Sequence, residues 1–268
     1  MLASGRDRIA SVMNVGVPPA VPLPVNLPEL NGLDLKARYY AERCSGDFFD
    51  AVATGSRVVF LLTDIAGRRA ETFPVAMELQ NVFRAKALEL FASPSANESE
   101  GIVQLAYEAN RSVMDAAHGV RFAPTFVGCF NLDLGILTYH NAGSLLAVFH
   151  DTENIRVLAP TGIPMGLFTH GTYEPVFLAF ERGAKLLLVT KGVTENRRGA
   201  DVFGVDQLRP LLENTALSSA SGICDAVLEE ANNIARTPWS RVSAFLPSGL
   251  LHRCDDMTAV ALVRRSAN

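Results

Sequence analysis

Three acidic stations along the chain could do metal chemistry: Asp47, Asp64 and the pair Asp255-Asp256. Gly55-Ser56 separates two strand-like runs and suits a two-residue hairpin loop, with glycine first as a type II′ turn requires. With Thr54 paired to Arg57, Asp47 falls directly opposite Asp64. Directly opposed side chains have Cβ atoms about 4.5–5.5 Å apart, and like charges there destabilise unless something positive intervenes. A hard divalent cation, Mg2+ or Mn2+, is the natural candidate, since both take carboxylate, carbonyl and water oxygens. Asp50, an odd number of residues from Asp47, points to the other side of a regular strand and is the weaker ligand candidate. Strand-end acids can also be simple turn caps. The third acidic site, just before the apolar run from Met257 to Val263, favours metal, because such acids are costly to desolvate singly and sensible together around a cation.

The elements that must position these groups follow from periodicity. Strands are predicted at Leu33–Glu42, Asp47–Ala53 and Arg57–Asp64, then two helices at Ala70–Phe91 and Glu98–His118, separated by the polar break Ser93-Pro94-Ser95-Ala96-Asn97. Six further strands are predicted at Thr125–Asp133, Ile136–Asn141, Leu145–Phe149, Ile155–Leu158, Val176–Phe180 and Lys185–Thr190. Helices at Val205–Glu213 and Ser219–Arg236 and a last strand at Met257–Arg264 complete the order. Hairpins rather than alternating βαβ units point to antiparallel sheets covered by helices, an α+β fold. Residues 1–25 differ: a short helix around Arg8–Met13 precedes the run Val17 to Pro24, whose prolines forbid regular structure, and this stretch reads as a lead-in.

Composition narrows the function classes. Of 268 residues, 49% are hydrophobic and 19% charged, enough for one large core and unlike a disordered chain. A net charge of −4 gives no basic field for a phosphate backbone, so nucleic acid is not the expected partner. The four cysteines, Cys44, Cys129, Cys224 and Cys254, form no CxxC pair and suggest neither a disulfide framework nor a zinc cage. No apolar run approaches the roughly 20 residues of a membrane span, and no signal peptide is visible, so a cytoplasmic protein without membrane contact is expected.

At this point the residues resemble a known family, the PPM (PP2C-like) metal-dependent protein phosphatases, in particular the SpoIIE/RsbU branch. Asn26 to Tyr39 is similar to the family's entry segment, Ser45-Gly46-Asp47-Phe48-Phe49-Asp50 to GGDfyD, and Leu62-Thr63-Asp64-Ile65-Ala66-Gly67 to GDvsGkG. Asn141-Ala142-Gly143 resembles nAGH, Pro164-Met165-Gly166-Leu167 plGl, and Leu188 to Glu195 yTDGvtE. Phe203-Gly204 with Gln207-Leu208 resembles fGxerL, and Asp255-Asp256-Met257-Thr258 resembles DDiT. Eight pieces in the right order make the resemblance specific. It implies a PP2C-like four-layer α/β/β/α sandwich over residues 26–268, with two Mn2+ or Mg2+ ions at one edge of the sheets. By motif position Asp64 would bridge both ions, Asp47 and the carbonyl of Ile65 would serve one, and Asp255 the other. A deprotonated water would attack phosphoserine or phosphothreonine in line. The usual substrates in this branch are phosphorylated STAS-domain regulators of partner switching.

The most informative departure is Lys191, which stands where the TDG motif has a metal-ligating aspartate. A protonated lysine has donors only and cannot ligate a metal. One expectation is that the ammonium replaces one ion by pairing with Asp255 and Asp64, leaving one metal or none; the bland alternative is that it turns to solvent. Ser144 stands in place of the AGH histidine, Arg69 in place of the second glycine of GDvsGkG, Thr63 and Ser45 in place of glycines. Two function classes follow: a metal-dependent serine/threonine phosphatase, or a catalytically impaired pseudophosphatase that binds phosphoprotein without turnover. Arg197-Arg198 could contact substrate phosphate, since guanidinium suits that geometry, though a solvated loop is the simpler reading. His140 reads as a strand surface residue. Trp239 and Phe245, in an insertion-like stretch from Thr237 to Arg253, could bind a partner or a second copy of the chain as a homodimer, while packing over the core is simpler.

Overall fold

The computed structural model describes residues 27–28, 30–40, 46–117, 122–195, 197–198, 201–235 and 256–265. The Pro-rich lead-in with its expected helix, Cys44, Ser45, the stretch 237–253 with Trp239 and Phe245, Cys254 and Asp255 lie outside the described residues.

In chain order the elements are β1 (Leu33–Tyr40), β2 (Asp47–Thr54), β3 (Arg57–Asp64), α1 (Arg69–Phe91), α2 (Glu98–Ala116), β4 (Thr125–Asn131), β5 (Ile136–Ala142), β6 (Leu146–His150), β7 (Ile155–Val157), β8 (Val176–Ala179) and β9 (Lys185–Val189). There follow α3 (Lys191–Thr194), β10 (Arg197–Arg198), β11 (Asp201–Val202), α4 (Val205–Glu213), α5 (Ala220–Ala235) and β12 (Met257–Arg264). One five-stranded sheet has the order β1-β12-β9-β6-β7 and the other β2-β3-β4-β5-β8. Neighbouring strands in both are antiparallel.

Alternation along the strands explains the layers. In β3, Val58, Phe60 and Leu62 face the other sheet, while Val59 and Leu61 face the helices. Between the sheets, Phe126 stacks on Tyr139 at 5.1 Å and on Phe60 at 6.1 Å, and Phe149 and Phe180 close the same layer. The outer face of the β3 sheet is covered by α1 and α2 through Leu79, Phe83, Leu105 and Ala106. The outer face of the β12 sheet, with Leu187, Ala259 and Ala261, is covered by α4 and α5 through Leu208, Ile223 and Val227. Three apolar layers between four layers of secondary structure make the expected α/β/β/α sandwich. Because β3 and β12 are buried on both faces, their sequences are continuous apolar runs rather than alternating ones.

Local signals set the ends. Asn97 caps α2, its Oδ1 accepting from Ser99 N at 3.1 Å and Glu100 N at 3.3 Å. The hairpin at Gly55 has φ 59° at the glycine, and Ser56 is not among the positive-φ residues, which is the II′ pattern. At that end of the sheet Arg57 pairs with Glu98 at 2.7 Å and donates to Ser93 O and Pro94 O, while Asn131 Nδ2 donates to the same Glu98. The α1–α2 hairpin is thereby tied to the sheet at the end away from Asp47.

Most predicted elements agree within two residues. Among the differences, α2 stops at Ala116 rather than His118, and the one-turn α3 and the short β10–β11 pair were not predicted, being too short to show a period. His140, expected on a strand surface, is 1% exposed, because the segment from Thr161 to Glu174 lies over β5 and bonds its Nδ1. Cys129 and Cys224 are buried free thiols, with burial pushing the Cys224 thiol up to about 12. Among the described residues no helix is long and apolar enough to cross a membrane.

Candidate metal centre

The β2–β3 register places Asp47 directly opposite Asp64, as the hairpin arithmetic requires. This pair ends the two strands where the inter-sheet layer opens to solvent. Asp47 is 7% exposed and its Oδ2 accepts two hydroxyl hydrogen bonds from the opposite sheet, from Thr190 Oγ1 at 2.6 Å and Thr258 Oγ1 at 2.7 Å. Thr258 N in turn donates to Thr190 Oγ1 at 3.0 Å, so β12 and the residue that follows β9 present one prepared cradle. Burial above all, then the charge of Asp64, push the Asp47 carboxyl well above the usual carboxylate range; the two hydroxyls pull it back and Asp256 adds to the rise. Thr190 and Thr258 were quoted within motifs but given no role by the sequence, since nothing in a strand reveals which residue of another sheet its end will meet.

The neighbouring loop explains two motif glycines. A Cβ on Gly46 would lie 2.0 Å from the Ile65 carbonyl oxygen, so only glycine lets that carbonyl sit beside Asp47. Ile65 N donates to Gly46 O at 3.1 Å, locking the two segments together. Gly67 carries the positive φ of the turn, 142°, and the helix starts at Arg69, so no glycine is needed where Arg69 stands. Likewise Gly143 keeps a positive φ of 103° while Ser144 beside it is exposed.

A cavity of about 250 Å3 is lined by Asp47, Asp64, Ile65, Gly67, Phe122, Lys191 and Asp256, among others. Asp256 is 1% exposed and accepts a hydrogen bond from the Tyr39 hydroxyl. Asp255, the expected third carboxylate, precedes it outside the described residues. Among the described residues there is no group of three histidine, cysteine or acidic side chains that could hold a metal ion. The opposed carboxylates, the adjacent carbonyl and the raised Asp47 carboxyl nevertheless fit a hard cation, since together they present oxygen donors and excess negative charge.

Asp50 faces away, as its register predicts. It is fully buried against α1, where Arg84 Nε bonds Oδ2 at 2.6 Å and Gln80 Nε2 bonds the same oxygen at 3.1 Å. Lys191 starts α3; its side chain is 67% exposed, lines the cavity, and pairs with Glu195 Oε1 at 2.8 Å. The expected partner Asp255 is not among the described residues. Arg197 and Arg198 form β10, paired with β11, rather than an irregular loop.

The family model described as Stage II sporulation protein E (SpoIIE) matches residues 54–265. The chain belongs to the SpoIIE family. Protein IcfG from Synechocystis sp. is 27% identical to this SpoIIE-family chain over 230 residues, 78% of the chain and 36% of IcfG. Among solved structures, the RsbU and RsbW domains of Rv1364c from Mycobacterium tuberculosis match at TM-score 0.67 and 22% identity, covering 92% of this chain and 64% of that one. The catalytic domain of the serine threonine protein phosphatase PstP, in complex with 2 manganese ions, matches at TM-score 0.58 and 12% identity, covering 87% of this chain and all of that one. The chain thus spans about a third of IcfG and less than two thirds of the Rv1364c chain. Two antiparallel sheets flanked by helices are the fold it shares with these PP2C-type neighbours.

Proposed function

We propose that this SpoIIE-family chain is a metal-dependent phosphatase acting on phosphoserine or phosphothreonine of a cytoplasmic regulatory protein, a STAS-domain regulator by resemblance. The observation that carries the reading is the opposed Asp47–Asp64 pair lining an open cavity, with the Asp47 carboxyl raised first by its burial and then by the charge of Asp64. Asp47, Asp64, the Ile65 carbonyl and Asp255 would hold Mn2+ or Mg2+. Such ions supply an acidified water and Lewis-acid stabilisation of the charge that develops on a transferring phosphoryl group. The protein's own part is positional: Thr190 and Thr258 orient Asp47 so that its other oxygen, Oδ1, remains for the cation, and Gly46 admits the Ile65 carbonyl. Arg197 and Arg198 are further candidates for holding substrate phosphate. The manganese ions of PstP and the RsbU and RsbW domains of Rv1364c support the cofactor and the regulatory-protein substrate by analogy.

Lys191 favours a second reading, a pseudophosphatase that binds the phosphoprotein without turnover. A cation on the cavity wall at a ligand position takes the place of one metal-binding carboxylate. Calorimetric Mn2+ titration and a phosphopeptide hydrolysis assay on the natural protein and on Lys191→Asp separate the two. An active enzyme binds two ions and turns over at least as fast as the variant. A binding module takes up one ion or none and gains turnover only in Lys191→Asp. If neither protein binds Mn2+ or hydrolyses phosphopeptide, the metal-phosphatase reading is wrong.

A further inference from the structure

Between α2 and the metal loop runs a relay of backbone hydrogen bonds that ends on one buried side chain. Asn110 of α2 is 2% exposed. Its Oδ1 accepts from Gly166 N at 2.8 Å and its Nδ2 donates to Phe168 O at 3.0 Å; the same Nδ2 lies 3.9 Å from Met114 Sδ. One carboxamide therefore satisfies a donor and an acceptor of a turn that Gly166 enters with φ 85°. The residue before it, Met165, exchanges both backbone bonds with Ala123, at 2.8 and 3.0 Å.

Ala123 is the middle of a three-residue ribbon whose backbone alternates between two sides, as extended chain must. Its neighbours face the metal loop: Phe122 O accepts from Ala66 N at 3.0 Å, and Pro124 O accepts from Asp64 N at 3.0 Å and from Thr63 Oγ1 at 3.2 Å. The amides before and after Ile65 are thus registered on this ribbon, and the ribbon on the turn that Asn110 clamps. Residues 65–68 belong to no helix or strand, so the regular ladder that ends at Asp64 does not fix the carbonyl of Ile65.

We propose that Asn110, 45 residues from Ile65 of the metal loop in sequence, is a positioning residue for it: through Gly166, Met165 and Ala123 it sets where the Asp64 carboxylate and the Ile65 carbonyl stand. The inference rests on the metal reading above for its consequence, and on the hydrogen-bond relay alone for its structural content. Ligand positions must hold within a few tenths of an ångström for a divalent ion, and losing an outer partner of a ligand typically weakens affinity 10–100-fold.

The test compares Asn110→Ala with Asn131→Ala, a buried asparagine at the opposite end of β4 that holds the 131–134 turn and Glu98. Hydrogen exchange of the Asp64 and Ala66 amides is measured without metal, and the Mn2+ dissociation constant by calorimetry. Asn110→Ala is expected to speed exchange at both amides and to weaken Mn2+ about tenfold. Asn131→Ala is expected to lower the melting temperature while leaving both readouts unchanged. Should Asn110→Ala unfold, Asn110→Ser keeps a small neutral hydroxyl at the turn without burying a charge, and is expected to show the same changes in smaller measure. Unchanged exchange at Asp64 and Ala66 in a folded Asn110 variant overturns the inference. Faster exchange without a change in Mn2+ affinity overturns its consequence for the metal. If the natural protein binds no Mn2+, the metal reading fails while the exchange arm still decides the relay.

Discussion

Asp47→Asn should make the metal-free protein more stable and the metal-loaded protein less so. Two unit charges about 5 Å apart, the separation of opposed strand residues, repel by about 3 kcal/mol at an effective dielectric of 20. Asp64 is only half-buried, so solvent screening brings the recoverable part to about 1–2 kcal/mol. Asparagine keeps an oxygen for the Thr190 and Thr258 hydroxyls and turns its amide toward Asp64, so no partner is orphaned. For a chain of this size the gain corresponds to a rise in melting temperature of roughly 2–4 °C at neutral pH in chelator. Saturating Mn2+ at about 100 times its dissociation constant should add about 2.7 kcal/mol to the natural protein and far less to the variant. Asp50→Asn, three residues along the same strand, has the opposite sign: it removes a buried carboxylate already matched to Arg84 and Gln80 and should cost about 1–3 kcal/mol with or without metal. Thermal melts of the three proteins with chelator and with Mn2+ decide it. If Asp47→Asn is destabilising in chelator, or keeps the full Mn2+ response, the electrostatic account of the site is wrong.

The raised Asp47 carboxyl also sets a pH dependence. Its stabilising contribution is complete below the unfolded carboxylate pKa of about 3.9 and is lost as pH rises through the higher folded value. His140 and His150, both lowered chiefly by burial, act in the opposite direction, losing stability as pH falls below about 6.5. The difference in unfolding free energy between Asp47→Asn and the natural protein, both in chelator, should therefore widen from pH 5 to pH 8; a flat difference would refute the assignment. Gly46→Ala drives a methyl into the Ile65 carbonyl, so the loop must shift. The expected result is a fold largely retained by far-ultraviolet circular dichroism and Mn2+ affinity weakened by about tenfold or more, read by calorimetry.

What the sequence determined was local. A two-residue turn at Gly55-Ser56 fixes the register of the strands on either side, and with it the opposition of Asp47 to Asp64 and the turning away of Asp50, because chain continuity leaves no other pairing with the same loop. The apolar runs of β3 and β12 and the polar break before Asn97 likewise mark elements by their own residues. Tertiary structure decided what crosses between layers. Thr190 and Thr258 reach Asp47 across 143 and 211 residues, Arg84 reaches Asp50 from a helix, and the segment over β5 buries His140 against its expected exposure. Asn110 shows the same limit most plainly: on a helical wheel it is one polar residue among buried ones, and only the packed turn at Gly166 reveals what its carboxamide holds. Periodicity tells a residue which face it occupies. Which atoms of a distant segment meet that face depends on how the sheets and helices pack, across sequence separations that no local pattern encodes.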